Sequence, residues 1–109
     1  MPIWKTRSIE QVPQLTLIHW SVRELPNGDR HFVGYNITEM EGRVSSKIVK
    51  FDPEAMVGRT RSGRVYKLDG SMGTSGDSEY TWNRWLNIYG LSPDATKVVS
   101  ETELIPAKE

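Results

Sequence analysis

The stretch that decides the predicted fold is Ile18-His-Trp-Ser-Val-Arg-Glu-Leu-Pro-Asn-Gly-Asp-Arg-His-Phe-Val-Gly-Tyr-Asn-Ile37. Asn27-Gly28 is typical of a tight hairpin turn because both residues tolerate a positive φ. Apolar and polar side chains alternate before it, as they do in a half-buried strand. A two-residue loop then pairs Val22 with Val33, Trp20 with Tyr35, and Ile18 with Ile37. All six lie on one face, so one register predicts an antiparallel pair with one buried side.

Further strands are predicted on the C-terminal side of this hairpin. Glu41-Gly42 is predicted to turn the chain into a strand over residues 43–51, whose irregular alternation indicates a bulge. Residues 56–61 and 64–68 are predicted to form a second hairpin around Ser62-Gly63, and residues 97–100 a last strand. The glycine-rich residues 69–76 are predicted to be a loop.

One helix is predicted between that loop and Pro93. Its apolar positions have spacings of i, i+3, i+4 and i+7, which is one helical face. They are Trp82, Trp85, Leu86 and Tyr89. Thr74, Ser75 or Asp77 can cap the N-terminus, and Gly90 can adopt the left-handed C-terminal cap.

These elements predict an α+β fold, because strands precede a helix instead of alternating with helices. The expected architecture is a curved antiparallel sheet of five or six strands, a meander of hairpins, with one C-terminal amphipathic helix packed on it. Residues 1–13 are predicted to be an N-terminal arm, residues 14–101 a single α+β domain, and residues 102–109 a C-terminal tail.

Composition excludes several classes of function. The chain has no cysteine, which excludes disulfides, thiol catalysis and cysteine-bound zinc. No apolar run has the length of a membrane span, and the first residues do not resemble a signal peptide. We therefore expect a cytoplasmic protein with no membrane partner.

Charge is unevenly distributed although the formal net charge is zero. Residues 43–67 carry seven Lys or Arg and two acidic residues, whereas residues 68–109 carry three and seven. Such segregation is a modest indication of a charged partner.

The basic hairpin at residues 58–67 is the strongest candidate site in the sequence. With Ser62-Gly63 as a two-residue loop, Arg59 faces Tyr66 and Arg61 faces Arg64 across the strand pair, so these four residues share one face. The same register pairs Val57 with Leu68. Like charges in such positions repel, so an acidic group or an external anion is expected to offset them. Five residues are partner-binding candidates: Arg59, Arg61, Arg64, Tyr66 and Lys67.

No catalytic, cofactor-binding or metal-binding residue is predicted. His19 and His31 are the only candidates for proton transfer near neutral pH, and the predicted register places them on opposite faces of the first hairpin. They are expected to be surface or edge residues. Trp20, Trp82 and Trp85 are expected in the core, whereas Trp4 is expected at an interface.

Four segments resemble small uncharacterised bacterial proteins, some of them from plasmids or other mobile elements. The segments are Arg30–Tyr35, Gly42–Ser46, Thr60–Gly70 and Tyr80–Trp85. The pattern shared with those proteins is an SGRVY-x-L-x-G segment followed by Y-x-W-x-x-W. The resemblance spans roughly residues 14–100. It implies a bacterial, cytoplasmic origin and transfers no active site.

Three functional hypotheses remain. The leading one is a small non-enzymatic binding or accessory protein, which recognises a protein partner through the basic hairpin and a neighbouring strand edge. The second is nucleic-acid binding by the basic hairpin. An enzyme is the least favoured, and the sequence indicates neither the partner nor the oligomeric state.

Overall fold

The computed structural model describes residues 13–104. Its elements are β1 (Gln14–Glu24), β2 (Arg30–Asn36), β3 (Glu41–Asp52), β4 (Val57–Thr60), β5 (Val65–Leu68), α1 (Gly76–Ile88), a 3-10 turn (Pro93–Ala95), β6 (Lys97–Val98) and α2 (Glu101–Leu104). The predicted α+β class is confirmed, and the described part of the chain contains six strands. The predicted arm lies outside the described residues except for Pro13.

The sheet closes into a barrel, which is more specific than the curved sheet that was predicted. β1 to β5 form an antiparallel meander, and β1 also pairs with β5. That closing pair is parallel, with Gln14 opposite Val65 and Leu17 opposite Leu68. An odd number of alternating strands makes the first and last run in the same direction. The prediction of a purely antiparallel sheet is therefore wrong at this one pairing.

The first hairpin turns through three residues, so the predicted two-residue loop is wrong. Leu25 N–H donates to the Asp29 carbonyl at 2.8 Å, which leaves residues 26–28 as the loop. Gly28 has a φ of 94°. Pro26 explains the difference, because it has no N–H for strand pairing and its fixed φ suits the first corner of a turn.

The longer loop shifts the register by one residue. Val22 pairs with Phe32 instead of Val33, and Ser21 pairs with Val33. Because side chains alternate along a strand, the shift exchanges the two faces of β2. Phe32 is buried inside the barrel with Val22, whereas Val33 packs beneath α1. Ile37, predicted to be paired in the core, lies beyond the end of β2 and is exposed.

Bulges bend the two longest strands around the barrel. In β1 the register shifts between Ile18 and Ser21, where His19 has a φ of 47°. The bulge in β3 that the sequence predicted is confirmed between Ile48 and Lys50. β3 begins at Glu41, directly after a turn over residues 37–40. The predicted turn at Glu41-Gly42 is therefore wrong, because these two residues already belong to the strand. Local bends of this kind allow a small sheet to close.

Two apolar clusters form the core of the described residues. The barrel interior contains Leu15, Leu17, Trp20, Val22, Phe32, Tyr66, Leu68, Val99 and Leu104. The second cluster lies between the barrel and α1 and contains Leu25, Val33, Val44, Trp82 and Leu86. Leu104 belongs to the first cluster, so the folded domain extends past the predicted boundary at residue 101.

Helix α1 has the predicted caps. Ser75 is the N-cap: its side chain accepts from Ser78 N–H, and Ser78 Oγ accepts from Ser75 N–H. At the other end Gly90 has a φ of 68°. Leu91 N–H donates to the Leu86 carbonyl at 2.9 Å, which completes a Schellman-type cap. These caps fix both ends of the helix that forms one wall of the candidate site.

Candidate binding cleft between helix α1 and the barrel

A cleft of about 570 Å³ lies between the C-terminal half of α1 and the neighbouring strands. We call it the basic cleft. Its lining comes from the two residues that flank the first hairpin loop, from β2, β3 and the second hairpin, and from α1 with its C-cap. The residues that line it are Leu25, Asp29, His31, Arg43, Val44, Ser45, Ser46, Lys47, Arg61, Ser62, Arg64, Tyr66, Trp85, Ile88 and Tyr89.

The lining is strongly cationic. It contains Arg43, Lys47, Arg61 and Arg64, whereas Asp29 is the one acidic residue among the described residues that line it. Asp29 already pairs with Lys47, with 3.3 Å between carboxylate and ammonium. The excess positive charge in a concave site favours an anionic ligand, because the surrounding low-dielectric walls focus its field.

Arg43 is the most unusual member of this lining. It is 4% exposed, and its Nε has no hydrogen-bond partner among the described residues. Its nearest described carboxylate is Glu41, 3.8 Å from Nη1, which is too long for a hydrogen bond. A buried donor without a partner is costly, so an unmet hydrogen bond is expected to have a reason.

The tip of the second hairpin is attached to β3 and thus to the cleft. Arg61 N–H donates to the Lys47 carbonyl at 2.7 Å, and Ser62 N–H donates to Ser46 Oγ at 3.2 Å. These two donors belong to a hairpin loop of three residues, 61–63, in which Gly63 has a φ of 93°. Thr60 N–H closes this loop on the Arg64 carbonyl at 3.1 Å.

This loop contradicts the predicted shared face of Arg59, Arg61, Arg64 and Tyr66. The observed register pairs Gly58 with Tyr66 and Arg59 with Val65. Tyr66 is 2% exposed and belongs to the barrel interior, and Arg64 is 7% exposed. The predicted two-residue turn is therefore wrong here too, because glycine takes the third position of a three-residue loop, as it does in the first hairpin.

The five predicted binding candidates therefore separate into two groups. Arg61, Arg64 and Tyr66 line the basic cleft. Arg59 and Lys67 are exposed and do not line it; they lie on the outer face of β4 and β5. The predicted pair of Val57 with Leu68 is also wrong, because Val57 pairs with Lys67.

An aromatic wall faces the cations. Trp85 stacks on Trp82 with ring centroids 5.3 Å apart and planes at 9°, and Tyr89 approaches it at 4.5 Å. Trp82 is buried as predicted, whereas Trp85 is only half-buried and Tyr89 is exposed. The predicted core face of α1 is thus half core and half cleft wall.

His31 lies in the cleft, so its predicted surface position is wrong. The register shift places it beside Trp85, with ring centroids 4.8 Å apart. Its Nδ1 is 2.8 Å from the Ser45 carbonyl, which matches a protonated Nδ1 donating to that oxygen. Burial lowers the pKa of His31, although the Ser45 hydrogen bond and Asp29 act in the opposite direction. Burial therefore favours the neutral form of the His31 imidazole. His19 is exposed, in the β1 bulge.

Sequence reasoning missed Arg43, Lys47 and His31 as cleft residues. The available signal was the cationic segment, which begins at Arg43. Among residues 13–104 no group of three His, Asp or Glu side chains could hold a metal ion, and no helix in that range has the length and apolarity to cross a membrane.

Comparisons with protein-family models, with curated proteins and with solved structures found no match to this chain. The resemblance to small bacterial proteins stays a prediction.

Proposed function

We propose that this chain is a small non-enzymatic binding protein, which recognises an acidic segment of a partner protein in the basic cleft. The observation that carries the proposal is Arg43, a buried cation whose Nε lacks a partner among the described residues. The excess of cations in the lining supports the same class of ligand. No catalytic step and no cofactor are part of the proposal.

The chemistry of the walls favours a protein segment over a nucleic acid. Val44, Leu25 and Ile88 provide apolar surface beside the cations, as interface cores do. Stacking of bases needs open aromatic faces. In the cleft Tyr66 is enclosed in the barrel and Trp82 covers one face of Trp85, so Tyr89 is the one exposed aromatic ring among the described lining residues. A segment with both acidic and apolar side chains satisfies all of these groups.

The mode of recognition differs from the one the sequence suggested. Strand addition needs a free sheet edge, but each of the strands β1 to β5 has a neighbour on both sides. We therefore place the partner in the cleft and not along a strand of the barrel.

A random peptide display library tests the proposal without a known partner. Selection on the immobilised full chain is expected to enrich peptides that combine Asp or Glu with Leu, Ile or Phe. Enrichment of basic peptides, or no enrichment at all, would contradict it.

Matched charge variants then locate the binding site. Lys47→Ser with Arg61→Ser removes two cations of the cleft, whereas Arg59→Ser with Lys67→Ser removes two exposed cations outside it. Since an exposed ion pair contributes up to about 1 kcal/mol, the first variant should bind a selected peptide about five- to twentyfold more weakly. The second should bind nearly as the wild type does. Equal losses in both variants would exclude the cleft as the specific site.

Nucleic-acid binding is the second candidate, supported by the exposed Arg59 and Lys67 beside Arg61. It predicts that a single-stranded oligonucleotide binds at low salt and dissociates steeply as salt rises. It also predicts that the double variant Arg59→Ser with Lys67→Ser binds the oligonucleotide more weakly than the wild type does. An oligonucleotide that does not bind at low salt would remove this candidate.

A further inference from the structure

The guanidinium of Arg43 has the properties of a preformed anion site. We infer that Arg43 forms a subsite inside the basic cleft for one carboxylate group of the ligand, flanked there by apolar side chains of the same ligand. This inference rests on the proposed function and names the chemistry that the cleft selects.

The burial and the hydrogen bonding of Arg43 carry the inference. Only 5% of its side chain is exposed, so water replaces a missing partner poorly. Glu41 offsets part of the charge at 3.8 Å, but it leaves the Nε–H unpaired. A carboxylate matches the planar fork of a guanidinium with two parallel hydrogen bonds.

The surroundings favour a single carboxylate over a phosphate. Val44, Leu25 and Trp85 line the same cleft and are apolar or aromatic. A dianion loses more hydration free energy than a monoanion when it enters such a site. Aliphatic side chains next to the carboxylate would contact these walls, which adds hydrophobic binding energy in proportion to the area buried.

Two sources can supply that carboxylate: an Asp or Glu side chain, or the C-terminus of a partner chain. Three peptides separate them. Acetyl-Leu-Glu-Leu-amide carries only a side-chain carboxylate, acetyl-Leu-Gln-Leu carries only a C-terminal one, and acetyl-Leu-Gln-Leu-amide carries none. Inorganic phosphate is the fourth probe.

The Arg43 Nε–H resonance in ¹H–¹⁵N spectra of the wild-type chain reads the subsite directly. We expect at least one carboxylate peptide to shift it saturably, and the neutral peptide and phosphate to leave it in place. Arg43→Lys keeps the charge but removes the Nε donor, so it should bind the active peptide about tenfold more weakly. A correctly folded Arg43→Lys chain with unchanged affinity would contradict the inference.

The wild-type titration remains decisive even where Arg43→Lys does not fold. An unmoved Arg43 resonance, together with shifts at Lys47 and Arg61, overturns the subsite while the proposed function stands. If none of the peptides, including those from the library, moves any cleft resonance, both are overturned. An equal response to the neutral peptide also overturns the subsite.

Discussion

Replacement of Gly42 by alanine tests how α1 sits on the barrel, and thereby the wall of the basic cleft. Gly42 lies in β3 opposite Tyr35 and beneath the first turns of α1. A Cβ at this position would be 2.3 Å from the Asp77 carbonyl oxygen and 2.4 Å from Thr81 Oγ1. Those two atoms are themselves joined by a hydrogen bond of 2.8 Å, so neither can turn away alone.

The loss in unfolding free energy depends on how far α1 must move to accommodate the new methyl group. Because the obstacle is helix backbone, α1 has to rise by about 1 Å to restore ordinary contact distances. That displacement loosens the packing of Trp82 and Leu86 of α1 on Val33 and Val44 of the barrel. Overpacking of a core costs about 1–3 kcal/mol, and a rigid backbone neighbour places Gly42→Ala near the upper end, at about 3 kcal/mol.

Urea unfolding followed by tryptophan fluorescence measures this loss. In a separate thermal unfolding experiment the melting temperature should fall by about 12 °C or more, since 1 kcal/mol corresponds to roughly 4–8 °C in a domain of this size. Gly76→Ala is the matched control: its Cβ meets no atom within 4 Å, and we expect a gain of about 0.4–1 kcal/mol. A loss below about 1 kcal/mol for Gly42→Ala would refute the packing of α1 described above.

Three other substitutions test separate parts of the account. Gly28→Ala forces a side chain into a φ of 94° and should cost about 1–2 kcal/mol in urea unfolding, although no atom obstructs it; an unchanged midpoint would contradict the three-residue loop. Ser75→Ala removes the N-cap of α1 and should cost about 1 kcal/mol by the same assay. His31→Gln should flatten the pH dependence of stability. With its folded-state pKa below 6.5, wild-type His31 takes up fewer protons than the unfolded chain, so stability falls as the pH drops from about 6.5 towards 5. Parallel pH profiles for the wild type and His31→Gln would contradict this.

Elements governed by local signals were predictable. The helical spacing of Trp82 and Leu86, the three candidate N-caps at residues 74–77 and Gly90 locate α1 to within a few residues, and Ser75 is the candidate that caps it. Both hairpins were located correctly because glycine next to Asn or Ser is a strong turn signal. What local signals could not decide was whether that glycine is the second residue of a two-residue loop or the third of a longer one.

That ambiguity of one residue accounts for the main errors at the site. In the first hairpin the register differs by one residue from the predicted one, so His31 lies in the cleft and not on the surface. In the second hairpin the same difference places Arg59 on the face opposite to Arg64 and Tyr66. Barrel closure was not predictable either, because the pairing of β1 with β5 joins residues about fifty positions apart. Neither strand has a local sequence pattern that indicates this partner.

The most direct test of the central claim is to locate the surface that an acidic, library-selected peptide contacts, by ¹H–¹⁵N chemical-shift mapping on the intact chain. We expect the resonances of Lys47, Arg61 and the Trp85 indole to shift together with one affinity. Shifts confined to Arg59 and Lys67, with those of the cleft unchanged, would contradict it.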